Sequence, residues 1–169
     1  MRRTYLSEDS EEENTPILSR KKILVLGDKA VGKTSFITRV TSGYFSMYYS
    51  PTKNIEIHRE VAIDDMLVTF WDVPAHIKYH FKLESLKADA VILLFDTQKP
   101  ESKSKALKMW DIMHQQMDHL PYVFMVGVRD IKDKEMGIHY IDNMSTAGLT
   151  KLLYAIRTTM HSYTVSDNH

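Results

Sequence analysis

Apolar and polar positions follow each other along this chain in blocks whose period changes. Residues 22–27 carry the run Ile23-Leu24-Val25-Leu26 and read as a buried strand. Residues 33–42 read as a helix, and 44–53 as a loop rich in Tyr and Ser. Over 54–62, Ile55, Ile57, Arg59 and Val61 alternate with Glu56, His58 and Glu60, the pattern of an edge strand with one wet face. Asp64-Asp65 makes a turn, and residues 66–71 return as the hairpin partner. Residues 90–95 are apolar throughout and predict a central strand. Residues 102–118 predict a helix with its apolar stripe at Leu107, Trp110, Met113 and Met117. Pro121 opens a buried strand over 122–128, and 138–141 read as a short last strand. A final helix over 147–160 puts Leu149, Leu152, Leu153, Ile156 and Met160 on one face. Strands alternating with helices predict an α/β fold with a doubly wound, mostly parallel sheet.

The first strand runs directly into Gly27-Asp28-Lys29-Ala30-Val31-Gly32-Lys33-Thr34, with the helical run Ser35-Phe36-Ile37 behind it. This is G-x-x-x-x-G-K-[ST] in the strand–loop–helix setting of a phosphate-binding loop. Gly27 lets the chain turn off the strand end. Gly32 lets backbone N–H groups approach phosphate with no Cβ in the way. The loop amides and the helix N-terminus make an anion nest. Lys33 reaches the β- and γ-phosphates, and the Thr34 hydroxyl is a Mg²⁺ ligand.

At 169 residues, 43% of them hydrophobic, one globular domain is expected, spanning 20–162. Residues 1–19 are polar with an acidic run at 7–13 and read as a disordered tail; 163–169 read as a flexible tail. Basic and acidic residues balance at 22 each, so charge gives no argument for a nucleic-acid partner. There is no cysteine, which excludes disulfides and thiolate zinc sites. No apolar run approaches the roughly 18 residues of a membrane span. No Gly stands at position 2 and no Cys near the last residue, so no direct lipid anchor is expected. A soluble cytoplasmic or nuclear monomer is the resulting expectation.

Beyond the phosphate loop, the order of motifs resembles a Ras-superfamily small GTPase, nearest the Rab and Ran branches, over about residues 22–160. The resemblance implies a P-loop NTPase G domain, shortened between its last two strands, that binds GTP or GDP with Mg²⁺. In that family a switch I Thr ligands Mg²⁺, and Thr52 of Ser50-Pro51-Thr52 stands at the matching place. Phe45 falls where the family sets an aromatic against the base, and Tyr49 where one closes over the phosphates. Asp72 corresponds to the carboxylate that holds Mg²⁺ through water. By this resemblance Gly27, Asp28, Lys29, Ala30, Val31, Gly32, Lys33, Thr34 and Ser35 line the phosphates. Switch I (44–54) and switch II (73–84) would present faces to protein effectors and regulators.

The chain also departs from the family. The switch II glycine is Ala75, and the Gln that orients attacking water is His76. Ala75 can keep the amide that touches the γ-phosphate, but not a backbone that needs positive φ. Lys29 replaces a small residue beside the γ-phosphate and would shield charge or obstruct an incoming arginine finger. The N-x-x-D-type base reader is missing: Val128 stands for the Asn, Arg129 for the Lys whose stem lies along the purine, and Asp130 is the near acceptor for guanine. Asp142-Asn143-Met144 occupies the place of the second base-side segment. Residues 129–137 leave no room for the family's helix between the last two strands. Three readings follow: a Mg²⁺-dependent guanine-nucleotide switch with slow hydrolysis, catalytic through Lys33 and His76; a pseudo-GTPase binding module that keeps the fold but does not cycle; and a protein that binds any nucleoside triphosphate.

Overall fold

A computed structural model describes residues 19–45, 48, 50–58, 60–76, 86–129 and 135–161. The strands are β1 (Ser19–Gly27), β2 (Glu56–Ile57), β3 (Val61–Ile63), β4 (Met66–Asp72), β5 (Ala90–Asp96), β6 (Tyr122–Val128) and β7 (Ile138–Ile141). The helices are α1 (Lys33–Ser42), α2 (Pro100–Gln116) and α3 (Leu149–His161). One seven-stranded sheet runs β2-β4-β1-β5-β6-β7, with β3 also paired to β4. The ladders β4-β1, β1-β5, β5-β6 and β6-β7 are parallel; β2 and β3 lie antiparallel to β4.

Each face of the sheet buries its own set of side chains. Ile23, Val25, Ile92 and Leu94 pack under Phe36 and Ile37 of α1 and Leu152, Ile156 and Met160 of α3. The alternate residues Leu24, Leu26, Val91, Leu93 and Phe95 pack under Ala106 and Met113 of α2. Because both faces are covered, β5 is buried at every position, which is why its sequence is apolar from Ala90 to Phe95 rather than alternating, with only the final Asp96 polar. The doubly wound, mostly parallel sheet is therefore present.

Two sequence expectations fail, both through a shift of phase. On α2 the expected stripe holds at Met113, which is buried, and at Met117, which packs against the core, but Leu107 and Trp110 are exposed and Ser102 and Ala106 are buried in their place. Two of the residues that α2 turns to the interior, Ser102 and Ala106, are small. The Ser102 hydroxyl donates to Lys99 O at 2.7 Å and accepts the Asp96 amide at 2.9 Å, so the polar residue turns inward. At the edge, the single strand expected over 54–62 is two short ones, with Ile57 63% exposed and His58 half-buried. The pairing of Glu56 with Asp72 sets this phase, and it turns Ile57 outward.

Residues 129–137 join β6 to β7, and the two strands are parallel neighbours. The register puts Ile138 beside Met125 and Ile141 beside Val128, so the chain retreats by only three residues, about 10 Å at the rise of a strand. A connection of this length reaches about 30 Å, enough to cover that retreat.

Candidate functional site

The strand ends of β1, β4 and β6 and the start of α1 surround a cleft of about 1270 Å³. Gly27 ends β1 at φ +154°, and a Cβ there would stand 2.3 Å from the Leu94 carbonyl oxygen of the next strand. Gly32 is the N-cap of α1 at φ +98°, where a Cβ would meet Asn143 Nδ2 at 3.2 Å. No side chain caps α1 and no acidic residue lies in its first turn, so its leading amides are open to an anion.

Lys33 is buried, and its ammonium donates to Gly27 O at 3.1 Å and Asp28 O at 2.9 Å. Burial pushes its pKa down, and the Asp72 and Asp28 carboxylates only partly oppose this. Asp28 points away from the cleft, to Lys105 Nζ at 2.6 Å. Burial alone would raise its pKa; the Lys105 hydrogen bond and the Lys105 and Lys33 charges hold it below the usual value. Lys29, Ala30, Val31, Gly32, Thr34 and Ser35 all line the cleft, with Lys29 exposed.

Thr34, Thr52 and Asp72 come together beside the loop. Asp72 is fully buried, and its Oδ2 accepts from Thr34 Oγ1 and, at 3.2 Å, from Thr52 Oγ1. The two hydroxyl oxygens are 3.2 Å apart. Three converging oxygens from two hydroxyls and a carboxylate fit Mg²⁺, which takes oxygen ligands and keeps several waters. Ala75 and His76 form another part of the wall, His76 exposed. Ala75 is not among the residues with positive φ, so alanine sits there without backbone strain.

At the far end lie Phe45, Val128, Arg129, Asp142, Asn143 and Met144. Arg39 is the latch of this end. Its guanidinium donates to Asn143 O at 2.9 Å, Met144 O at 2.8 Å and Gly43 O at 2.6 Å, and sits 5.7 Å from the Phe45 ring centroid. Asp142 closes the turn behind it, accepting from the Ser145 hydroxyl at 2.6 Å and the Met144 amide at 3.0 Å; the Ser145 bond foremost lowers its pKa. Asn143 is buried, with Nδ2 3.4 Å from Gly32 O, and so ties this turn to the phosphate loop.

Arg129 stands at φ +94°, and its Nε lies 3.2 Å from Oδ2 of the fully buried Asp96. This is a charge contact rather than an aligned hydrogen bond, since that oxygen has no hydrogen-bond donor among the described residues. Arg129→Ala leaves the Asp96 carboxylate short of its nearest cation and should cost about 1–3 kcal/mol. Urea unfolding checks this; unchanged stability would mean that Lys99, 3.8 Å away, suffices.

Tyr49 and Asp130 lie outside the described residues. Tyr48, not singled out in the sequence, lines the cleft and is 94% exposed. Asp96, Lys105 and Arg39 also escape sequence reading. Their partners lie 33, 77 and about 104 positions away, and no local pattern marks such pairs.

Residues 22–130 match the family described as Ras of Complex, Roc, domain of DAPkinase. The chain belongs to this family, within the Ras superfamily of small GTPases. Its relatives include the GTP-binding protein Rho3 of Schizophyllum commune, 29% identical over 114 residues, covering 64% of this chain and 54% of Rho3. The Ras-related protein Rab7 of Drosophila melanogaster is 27% identical over 126 residues, covering 68% of this chain and 60% of Rab7. The likeness is thus Rab-like, and the chain spans little more than half the length of these relatives.

Proposed function

We propose that the cleft binds a guanine nucleotide with Mg²⁺ and that the chain is a switch of small-GTPase type with slow hydrolysis. The observation that carries this is the meeting of Thr34, Thr52 and Asp72 next to Lys33 of the phosphate loop. Mg²⁺, when bound, would neutralise charge on the β- and γ-phosphate oxygens. The chain's own residues do the rest. Lys33 exchanges two loop carbonyls for phosphate oxygens. The open amides of α1 cradle the phosphates. Thr52 couples switch I to the γ-phosphate, and His76 orients the attacking water. Phe45 and the Arg129 stem bracket the base. Switch I and switch II are the surfaces for protein effectors and regulators.

Guanine reading is weak on this account, because Val128 stands in place of the family's Asn and the carboxylate that would accept from guanine is displaced to Asp130. Losing one charged hydrogen bond costs about 1.5–3 kcal/mol, roughly tenfold to a hundredfold in affinity. GTP should therefore be preferred over ATP by far less than a thousandfold in a competition assay. A larger preference would mean that another group, with Asn143 the nearest amide, reads the base.

The non-cycling module stays as the second reading because Lys29 and His76 are both exposed at the wall, and His76 stands where the family places the Gln that orients water. Single-turnover hydrolysis separates the two. The intrinsic rate should lie at or below roughly 10⁻⁴ to 10⁻² s⁻¹. His76→Ala should slow it further; an unchanged rate would remove His76 from the chemistry and favour the binding module.

A further inference from the structure

At the sheet edge, Glu56 of β2 pairs directly with Asp72 of β4. His58 follows two residues later, its amide donating to Phe70 O at 2.9 Å, so it shares the strand face of Glu56. One donor atom from each of Glu56, His58 and Asp72 lies within 4.8 Å of the others, the single such trio of His, Asp or Glu among the described residues. Two of their atoms are orphaned. His58 Nε2 and Asp72 Oδ1 are buried, and neither has a hydrogen-bond partner among the described residues. Asp72 itself is fully buried, and its other oxygen is spent on Thr34 and Thr52. Buried polar groups left unpaired in this way point to a missing partner. Glu56 is exposed, which leaves the trio open to solvent on one side.

We propose that Glu56, His58 and Asp72 form a divalent transition-metal site of the Zn²⁺ class, separate from the Thr34–Thr52–Asp72 cluster but sharing Asp72 with it. The imidazole sets the class: nitrogen with carboxylates suits Zn²⁺ or Co²⁺, whereas Mg²⁺ takes oxygen alone. Tetrahedral bonds of about 2.0–2.2 Å put donor atoms about 3.4 Å apart, so the trio must contract, and the exposed Glu56 side chain is free to do so. Three protein ligands leave a fourth position for water. Occupancy pins β2 to β4 only four residues beyond Thr52 and draws on the unpartnered Asp72 oxygen. Metal there therefore biases the position of Thr52. The proposal stands without the nucleotide reading, since it requires only the paired strands.

The test is titration of the full, metal-stripped chain with Co²⁺, read by visible absorption, followed by displacement with Zn²⁺. One equivalent should give the intense bands of a four-coordinate ion, lost on adding Zn²⁺ and kept on adding Mg²⁺. His58→Asn should bind at least about tenfold more weakly, because losing even a group behind a ligand costs that much. Glu56→Gln, at an exposed position, gives the same reading should the His58 variant lose its circular dichroism spectrum. No bands in the wild type would overturn the site. Bands of unchanged affinity in the folded variants would also overturn it, by placing the ion on another of the eight histidines.

Discussion

Lys33→Met lowers affinity for Mg²⁺–GTP and Mg²⁺–GDP by roughly 10²–10⁴-fold and leaves the fold standing. The ammonium is held at the loop by two carbonyls, of Gly27 and Asp28, with its charge already stripped of most water. In that position it needs no further desolvation to meet phosphate. Two charge-assisted contacts at about 1.5–3 kcal/mol each set the loss. Met keeps the length and apolar volume of the stem, so thermal unfolding should move little. The burial that depresses the lysine pKa is a cost to the folded state, and removing the charge relieves it. Calorimetric titration of both proteins reads the affinity, and equal heats would break the phosphate-loop assignment.

Gly27→Ala is the largest expected blow to stability. The site lies at the end of the central strand β1, at a φ of +154° that side chains rarely adopt. The added Cβ would sit 2.3 Å from the Leu94 carbonyl oxygen, well inside van der Waals contact, and the obstacle is backbone of the neighbouring strand. Neither side can yield without breaking the β1–β5 ladder on which the phosphate loop stands. A cost of at least about 3 kcal/mol follows, at the upper end for point changes. For a domain of this size that lowers Tm by about 6–12 °C. Differential scanning calorimetry measures it; a fall of under about 2 °C would mean that the strands part more readily than their packing implies.

The core of the fold was legible because its signals are local. β5 reads as apolar from Ala90 to Phe95 since helices cover both sides of it, and α3 shows its buried face at helical spacing. β7 over Ile138–Ile141 stands where its four residues predict it. α2 misleads because hydrophobicity alone does not choose the buried face. Ser102 and Ala106 turn inward, Ser102 by bonding to Asp96 and Lys99, and Leu107 and Trp110 are left exposed. The edge misleads because pairing with β4 outranks the alternation of β2. At the site, the loop from Gly27 to Thr34 is a contiguous motif and can be read directly. Thr52 and Asp72 enter only through family likeness, because their meeting with Thr34 spans 18 and 38 positions of sequence. The Asp96–Arg129, Asp28–Lys105 and Arg39–Asn143 contacts belong to the tertiary structure alone.

No helix among the described residues is long and apolar enough to cross a membrane. The central claim is that the meeting of Thr34, Thr52 and Asp72 with the phosphate loop makes a Mg²⁺-dependent nucleotide site. Titrating GDP into the full chain by calorimetry, once in Mg²⁺ and once in chelator, tests it most directly. Saturable binding of one GDP is expected in Mg²⁺, with a clear loss of affinity in chelator. That difference should shrink in Thr34→Ala, where one of the three oxygens is gone. Absence of GDP binding in Mg²⁺, or binding equally tight with and without the metal, would contradict the account.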